Sequence, residues 1–449
     1  LTPSRQDEEE DMMRCNDARA FGRRAAGCAM VTTLLMVTAC GGDSDSAEAG
    51  GDVTLRFAWW GNQERAELTQ QAIDVFTEEN PNIGIEPESV DFDSYFDRLA
   101  TSVAADDAPD VFTLGGAYPR EYGDRGALLD LSTVEEHLSL DNIDEAALSN
   151  GFFSGVQYGV PTGVNTYAVV ANPEVFEEAG VEMPDDDTWT WDDFVEIAQE
   201  ISDNTPDDTY GAVDPTGSDA LDLYSRQRGE SLYTEDGEVG ISEETVQDWW
   251  DMTSAMSESG ATPPASITAE LAGQAAPEQT LMGRGLAGMQ LDWSNQLNAL
   301  RSASGAPLEL LRAPGETSNE APGMWLQASQ VYAIGANTDH PEEAAQLVDF
   351  LVNSVEAAEF TKADRGIPAN SEVLEAITPK LDEDTTVQSE FVAEVTPEVG
   401  DALIIGPTGS TETPFILERL NDEVLFGRVG TADAASQFVE RVAEEIDQG

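Results

Sequence analysis

Apolar and polar residues alternate from Val53 to Trp60 (VTLRFAWW), with Val53, Leu55, Phe57 and Trp59 on one face, which predicts a strand. Gly61-Asn62 turns the chain, and the period then becomes helical from Gln63 to Glu79. Ala66, Ala72, Ile73 and Phe76 form the apolar stripe, and Asn80-Pro81 stops it. Ile83 to Val90 reads as a second strand. Asp93 or Ser94 is expected to cap a helix whose Phe96, Leu99, Ala100 and Val103 share one face. Pro109-Asp110 leads into an apolar strand, Val111 to Leu114, ending in Gly115-Gly116. This β-α-β-α-β order predicts a mostly parallel sheet with helices on its faces. Two extended pieces follow, Gln157 to Pro161 and Thr166 to Ala171, flanking Thr162-Gly163-Val164-Asn165. Asn172-Pro173 starts a helix ending at Gly180, and Thr190-Trp191-Asp192-Asp193 has the form of a capping box. From Asn204 to Gly288 the pattern is helical pieces cut by Pro and Gly. Gly288 to Trp293 and Gln327 to Ala336 read as strands, Pro341 opens another helix, and helices dominate the remainder.

Upstream of the first strand the pattern is different. Arg14, Arg19, Arg23 and Arg24 precede an uncharged run from Ala25 to Thr38, which is shorter than the roughly 20 apolar residues of a membrane-spanning helix. Charged-then-apolar is the layout of an export signal. Val37-Thr38-Ala39-Cys40 closes it with an aliphatic residue, two small residues and a cysteine, the form of a bacterial lipobox. Residues 1–39 are therefore expected to be a signal peptide, with translation starting at Met12 or Met13. Residues 40–51, rich in Gly, Ser, Asp and Ala, would tether a lipidated Cys40. The other cysteines, Cys15 and Cys28, fall in the signal, so the processed chain keeps one thiol and forms no internal disulfide.

The 449-residue chain leaves 410 residues after position 39, enough for two domains. Its formal charge is −67, or −66 without the signal, and Lys362 and Lys380 are its only lysines. Such a chain repels nucleic acid and anionic lipid. The acids are spread along the whole length, which suits a solvated, halophilic surface better than a cation site.

Signatures of enzymes are sparse. His137 and His340 lie far apart, and His340 precedes Pro341 at a helix start. The chain has no HExxH, no cysteine cluster, no GxSxG and no phosphate loop. With 82 acids after position 39, chance carboxylate pairs are certain. Spacing along the chain does not show which pair would sit the roughly 5 to 9 Å apart that glycoside hydrolysis needs.

Four strand ends carry aromatic and polar residues together: Trp59 to Arg65, Gly115 to Tyr118, Asp292 to Asn295, and Met324 to Gln327. Ligands of open α/β sheets sit beyond the carboxyl ends of strands. Trp beside Asn, Asp or Gln suits a sugar, whose C–H face lies on an indole while its hydroxyls donate and accept. Trp59 shares its strand's apolar face and reads as core, as do the helical Trp189, Trp191, Trp249 and Trp250. Trp60, Trp293 and Trp325 read equally as packing or as ligand surfaces.

On these segments the chain resembles the extracellular solute-binding proteins of ATP-driven carbohydrate importers, typified by maltose-binding protein. The likeness is carried in order by FAWWGNQERAEL, APDVFTLGGAYPREYGDRGALLDL, YGVPTGVNTYAVVANPEVFEEAG, TWTWDDFVEIA, GLAGMQLDWSNQ, ASQVYAIGANTDHPEEAAQLVDFLVN and ADRGIPAN, spanning about Asp52 to Asn370. It implies an α/β, two-lobed periplasmic-binding-protein-like fold with a hinge cleft. Lobe one would comprise 52–163 plus 330–377, and lobe two 164–329 plus 378–449. The resemblance places ligand contacts at Trp60, Asn62, Glu64, Gly115, Gly116 and Tyr118 in the first lobe. It places others at Asn165, where the family often has an acid, and at Asp292, Trp293 and Asn295, with Trp325 and Gln327 as a second wall. It implies a monomer that needs no cofactor or metal, captures a mono- or oligosaccharide and hands it to membrane permease subunits. Contact with the extracytoplasmic face of the membrane would be by the lipid anchor alone. The residues leave two other readings open: a binder of a cationic or other small solute, by cation–π contact, and an anchored carbohydrate-active enzyme.

Overall fold

In a computed structural model, which describes residues 53–448 apart from 117, 273–275, 320, 401 and 402, the first alternating stretch is strand β1 (Val53–Trp60). The expected signal, Cys40 and tether lie outside the described residues. Helix α1 (Gln63–Glu79) begins where Asn62 accepts the Arg65 N–H, and it buries Ala72, Ile73 and Phe76. Strand β2 (Ile83–Val90) pairs parallel to β1. Helix α2 (Phe92–Ala104) starts earlier than the sequence suggests: its cap is Asp91, whose carboxylate accepts the Ser94 N–H at 3.1 Å. Strand β3 (Val111–Leu114), wholly buried, also runs parallel to β1, and the short helix α3 (Tyr118–Asp124) follows it.

A small hairpin, β4 (Phe152–Phe153) with β5 (Val156–Gln157), precedes β6 (Gly159–Ala171). The two extended pieces expected around Thr162 to Asn165 are this one 13-residue strand. Its continuity has a cause distant in sequence. The Val164 N–H donates to the Ile367 carbonyl at 2.7 Å and the Ile367 N–H returns to Val164 at 2.9 Å. Gly163 permits the approach, because a Cβ there would lie 2.4 Å from the Arg365 carbonyl oxygen.

The remaining strands are β7 (Tyr210–Ala212), β8 (Ala287–Trp293), β9 (Glu309–Leu311) and β10 (Leu326–Ile334). One sheet runs β2-β1-β3-β10-β6-β8-β7, with β9 beside β6. Only its margins are parallel; β10 is antiparallel to β3 and β6, and β8 to β6. The long β6 thus pairs with β10 along its first half and with β8 and β9 along its second. The β10–β6 register slips between Ala328 and Val331, and such an irregularity bends a strand.

The cores divide at these two strands. One draws on residues between Leu55 and Val164 and between Leu326 and Ile367, together with Val392, around Phe57, Trp59, Phe76 and Val348. The other draws on Tyr167 to Trp325 and on Phe391 to Val442, around Phe194, Trp249, Trp250 and Phe438. Among the described residues no helix is long and apolar enough to cross a membrane.

Candidate functional site

Residues opposed across an antiparallel pair share a face of the sheet. Asn165 of β6 opposes Gln327 of β10, and two residues on, Tyr167 opposes Trp293 of β8. The crossing strands therefore carry amides at one step and aromatics at the next. Asn165 donates from Nδ2 to Ser329 Oγ at 2.6 Å. Gln327 accepts the Trp325 indole N–H at 3.1 Å and donates to Asn150 Oδ1 at 3.1 Å. Asn150, buried, fixes the start of β10 by accepting the Ala328 N–H and donating to the Leu326 carbonyl.

The three aromatics interlock. Trp293 meets Tyr167 edge-on at 5.1 Å between ring centroids and Trp325 at 5.6 Å. Tyr167 and Trp325 lie nearly parallel at 6.3 Å. Their exposures differ: Trp325 is 3% exposed, with the Arg226 guanidinium 5.5 Å from its ring centroid, whereas Trp293 is half-buried. Trp325 thus backs Trp293 and does not form a separate open wall.

Carboxylates surround this cluster. Asp292 accepts the Trp293 backbone N–H and a Gln290 side-chain N–H, each at 2.8 Å, and burial pushes its pKa up to about 6. Strand alternation sends it to the opposite face of β8 from Trp293. Asp219, in the first turn of the helix Ser218–Arg226, lies near the Trp293 side chain, whose N–H holds its pKa down. Burial, and then the charges of Asp222 and Asp292, push it up to about 6 against that pull.

On the far side of the crossing, half-buried Trp60 packs 5.3 Å from both Tyr95 and Phe96, and Phe96 stacks on Tyr118 at 3.9 Å. A Cβ on Gly115 would come within 3.3 Å of the Trp60 indole and 3.6 Å of the Ser329 carbonyl, so Gly115 lets the two groups of residues meet. Gly116, exposed, holds φ +58°. Two expected contacts have other roles or positions. The Asn62 side-chain oxygen is engaged as the α1 cap, and exposed Asn295 has as its inward neighbour Ser294, whose hydroxyl accepts the Thr166 N–H at 3.2 Å. Glu64 is exposed in the first turn of α1.

A contact absent from the sequence reading ties α3 to two later segments of the chain. Arg120 of α3 donates to the Ile405 carbonyl at 2.9 Å and the Glu235 carbonyl at 3.2 Å, and pairs with Asp124 at 3.6 Å. Ile405 itself packs with Tyr122 and Phe153. Tyr167 was legible in principle, as it follows Asn165 by one strand period. Ser329 likewise follows Gln327 by one strand period, whereas Asp219 and Asn150 reach the site from distant segments and leave no local signal. His137 pairs with Glu342 at 3.5 Å, away from these groups, and no cluster able to hold a metal occurs among the described residues. The assembled chemistry is stacking surface, amide and carboxylate: binding groups.

The family model for bacterial extracellular solute-binding proteins matches residues 60–358. The diacetylchitobiose binding protein DasA of Streptomyces coelicolor is 24% identical over 364 residues, covering 76% of this chain and 80% of that one. An uncharacterized lipoprotein of Streptomyces antibioticus is 24% identical over 360 residues, covering 77% and 76%. Among solved structures, an extracellular solute-binding protein family 1 member from Alicyclobacillus acidocaldarius superposes with a TM-score of 0.74 at 26% identity, covering 88% of this chain and 98% of that one. The α/β fold is the two-lobed one of these proteins, and the chain belongs to the bacterial extracellular solute-binding protein family.

Proposed function

We propose that this chain is the substrate-binding lipoprotein of an ATP-driven importer and captures a neutral sugar or oligosaccharide between its lobes. The observation that carries the reading is half-buried Trp293, backed by Trp325 and Tyr167 and rimmed by Asp219, Asn165 and Gln327 where the strands cross. An indole face with fixed acceptors at its edge matches a pyranose. DasA, by its name, binds a disaccharide, which supports the same class. Lobe one is taken as 52–163 plus 330–377 and lobe two as 164–329 plus 378–449. A sugar bridging Trp60, Gly115, Gly116 and Tyr118 on one side and Trp293 on the other favours closure, because only the closed form makes both sets of contacts. Arg120 then holds the lobes together. No covalent step is required, so the protein acts as a carrier and not as an enzyme. Lipidation of Cys40 holds it, as a monomer, at the extracytoplasmic face beside its permease. A cationic solute is the second reading, favoured by Asp219 beside the aromatics.

The test is a titration of intrinsic tryptophan fluorescence with xylo-, malto-, cello- and galacto-oligosaccharides in high salt, with chromatography of the mixture. Saturable change without product supports the carrier. Product at enzymatic rates would end that reading, and saturation by a quaternary ammonium alone would favour the second.

A further inference from the structure

Strand β9 ends at Leu311 and β10 begins at Leu326, and the described residues between them form neither helix nor strand. Trp325 stands at the end of this connection, so its ring is only as well placed as the backbone that delivers it. Long connections are ordinarily the mobile parts of a fold. Here the two residues before Trp325, both buried, are held by one carboxylate. Glu316 accepts the Gly323 N–H, at 3.1 Å to Oε1 and 3.0 Å to Oε2, and the Met324 N–H at 3.1 Å to Oε2.

The carboxylate is itself held. Gln227, fully buried at the end of the helix Ser218–Arg226, donates from Nε2 to Glu316 Oε1 at 2.6 Å and to the Pro314 carbonyl at 2.8 Å. Its oxygen accepts the Trp191 indole N–H at 2.7 Å and an Asn319 side-chain N–H at 3.0 Å. Those are the four hydrogen bonds a side-chain amide can make, so Gln227 has one orientation. Gly323 is fixed from its other side as well. Its carbonyl accepts Arg226 Nε at 3.0 Å, and a Cβ on it would lie 2.4 Å from the Leu223 carbonyl oxygen. Without the carboxylate, two buried backbone N–H groups lose their acceptor, and the connection must move to satisfy them.

We infer that Glu316 is a positioning residue for the solute site: it fixes the Gly323-Met324 backbone so that Trp325 stands where it backs Trp293. The inference rests on the reading of Trp293 as the solute's platform. Trp325 meets that ring at 5.6 Å and 86°, and its indole N–H is taken by Gln327. A shift of the preceding backbone therefore moves the surface on which Trp293 leans. A site that must be restored on binding loses affinity, because part of the binding free energy goes into the rearrangement. The carboxylate suits the task, as its two oxygens serve three N–H groups at once.

The experiment compares Glu316→Ala, Glu316→Gln and Asn319→Ala with the unsubstituted protein in high salt, each well below its melting temperature. Near-ultraviolet circular dichroism reads the mutual orientation of Trp293, Trp325 and Tyr167 and needs no solute. Calorimetric titration with xylo-, malto-, cello- and galacto-oligosaccharides reads affinity. Glu316→Ala is expected to alter the tryptophan dichroism, to cause no such change in a Trp325→Phe background, and to weaken the best-bound saccharide roughly tenfold. Glu316→Gln, which keeps one oxygen for the two backbone N–H groups, is expected to fall between. Asn319→Ala, whose side chain bonds Gln227 and not the Gly323-Met324 backbone, is expected to leave both signals in place. Unchanged dichroism and affinity in folded Glu316→Ala overturn the role even if its melting temperature falls, as does an equal effect of Asn319→Ala. Altered dichroism with unchanged affinity also overturns it, because the placement of Trp325 would then not serve binding. If Glu316→Ala does not fold, Glu316→Gln carries the same test. Binding of no saccharide by the unsubstituted protein ends the sugar reading, and the dichroism still decides whether Glu316 orients the rings.

Discussion

Trp293 and Trp325 stand in similar sequence settings, each at a strand end beside a polar residue, yet the structure gives them different work. Trp325 is covered by Tyr167 and approached by Arg226, whereas Trp293 keeps part of its ring in the open. What covers a ring comes from segments tens to hundreds of residues away, so local composition reads the two alike. Trp293→Ala is expected to cost about 2 kcal/mol or more of sugar affinity with little loss of stability, as the loss of an anchor does. Trp325→Ala is expected to cost about 3 to 5 kcal/mol of stability, as large core truncations do. Fluorescence titration and thermal melting separate the two, and a stable Trp325→Ala variant would contradict its backing role. Asp219 and Asp292 add a pH dependence. Both titrate near 6 in the folded chain against 3.8 for an ordinary aspartate. The folded state therefore binds more protons between these values, and their contribution to stability is fullest below about pH 4 and is lost as pH rises through 6. Asp219→Asn is expected to flatten the fall in melting temperature across that window. An unchanged slope would show that its carboxylate is not held in this way.

Elements whose determinants are local were the most legible. Helix α1 occupies the expected residues, and the Thr190 capping box forms, with the Thr190 N–H on Asp193 at 2.8 Å and the Asp193 N–H on Thr190 at 3.1 Å. Strand β6 is continuous where the sequence predicts two pieces, and Gly163, a residue type that normally signals a break, sits inside it. Its reason for being glycine is the Arg365 and Gly366 backbone packed against it, which arrives from 200 residues away. The site was legible to a similar degree: strand ends pointed to Trp60, Gly115 and Trp293, but not to Asp219 or Arg120. Gly163→Val is expected to destabilise the protein by about 1 to 3 kcal/mol, because the strand and the returning segment must separate. Denaturant unfolding measures this, and wild-type stability would contradict the close approach. Arg120→Ala removes the two hydrogen bonds from α3 to the Ile405 and Glu235 carbonyls. It is expected to speed ligand dissociation several-fold with little change in association, where most affinity differences lie. Stopped-flow fluorescence reads both rates, and unchanged dissociation would remove Arg120 from the closed state.

At the scale of the whole molecule, charge sets the behaviour. A formal charge of −67 opposes compaction in dilute buffer, and its screening length falls from roughly 30 Å at 0.01 M to 3 Å at 1 M salt. The melting temperature is therefore expected to rise steeply from dilute buffer to molar salt. A temperature independent of salt would mean that the acids are paired locally, as Asp186, Asp187, Glu394 and Glu398 are around Arg312. The two largest cores lie on either side of β6 and β10. The chain's order of segments made this architecture legible, but the solute depends on side-chain placement that no spacing records. The most direct measurement of the central claim is calorimetric titration of the intact protein with neutral oligosaccharides in molar salt. Saturable one-to-one binding to at least one of them, abolished or strongly weakened by Trp293→Ala, is the expected result. Binding that is indifferent to Trp293→Ala, or no heat with any saccharide, would contradict the assignment.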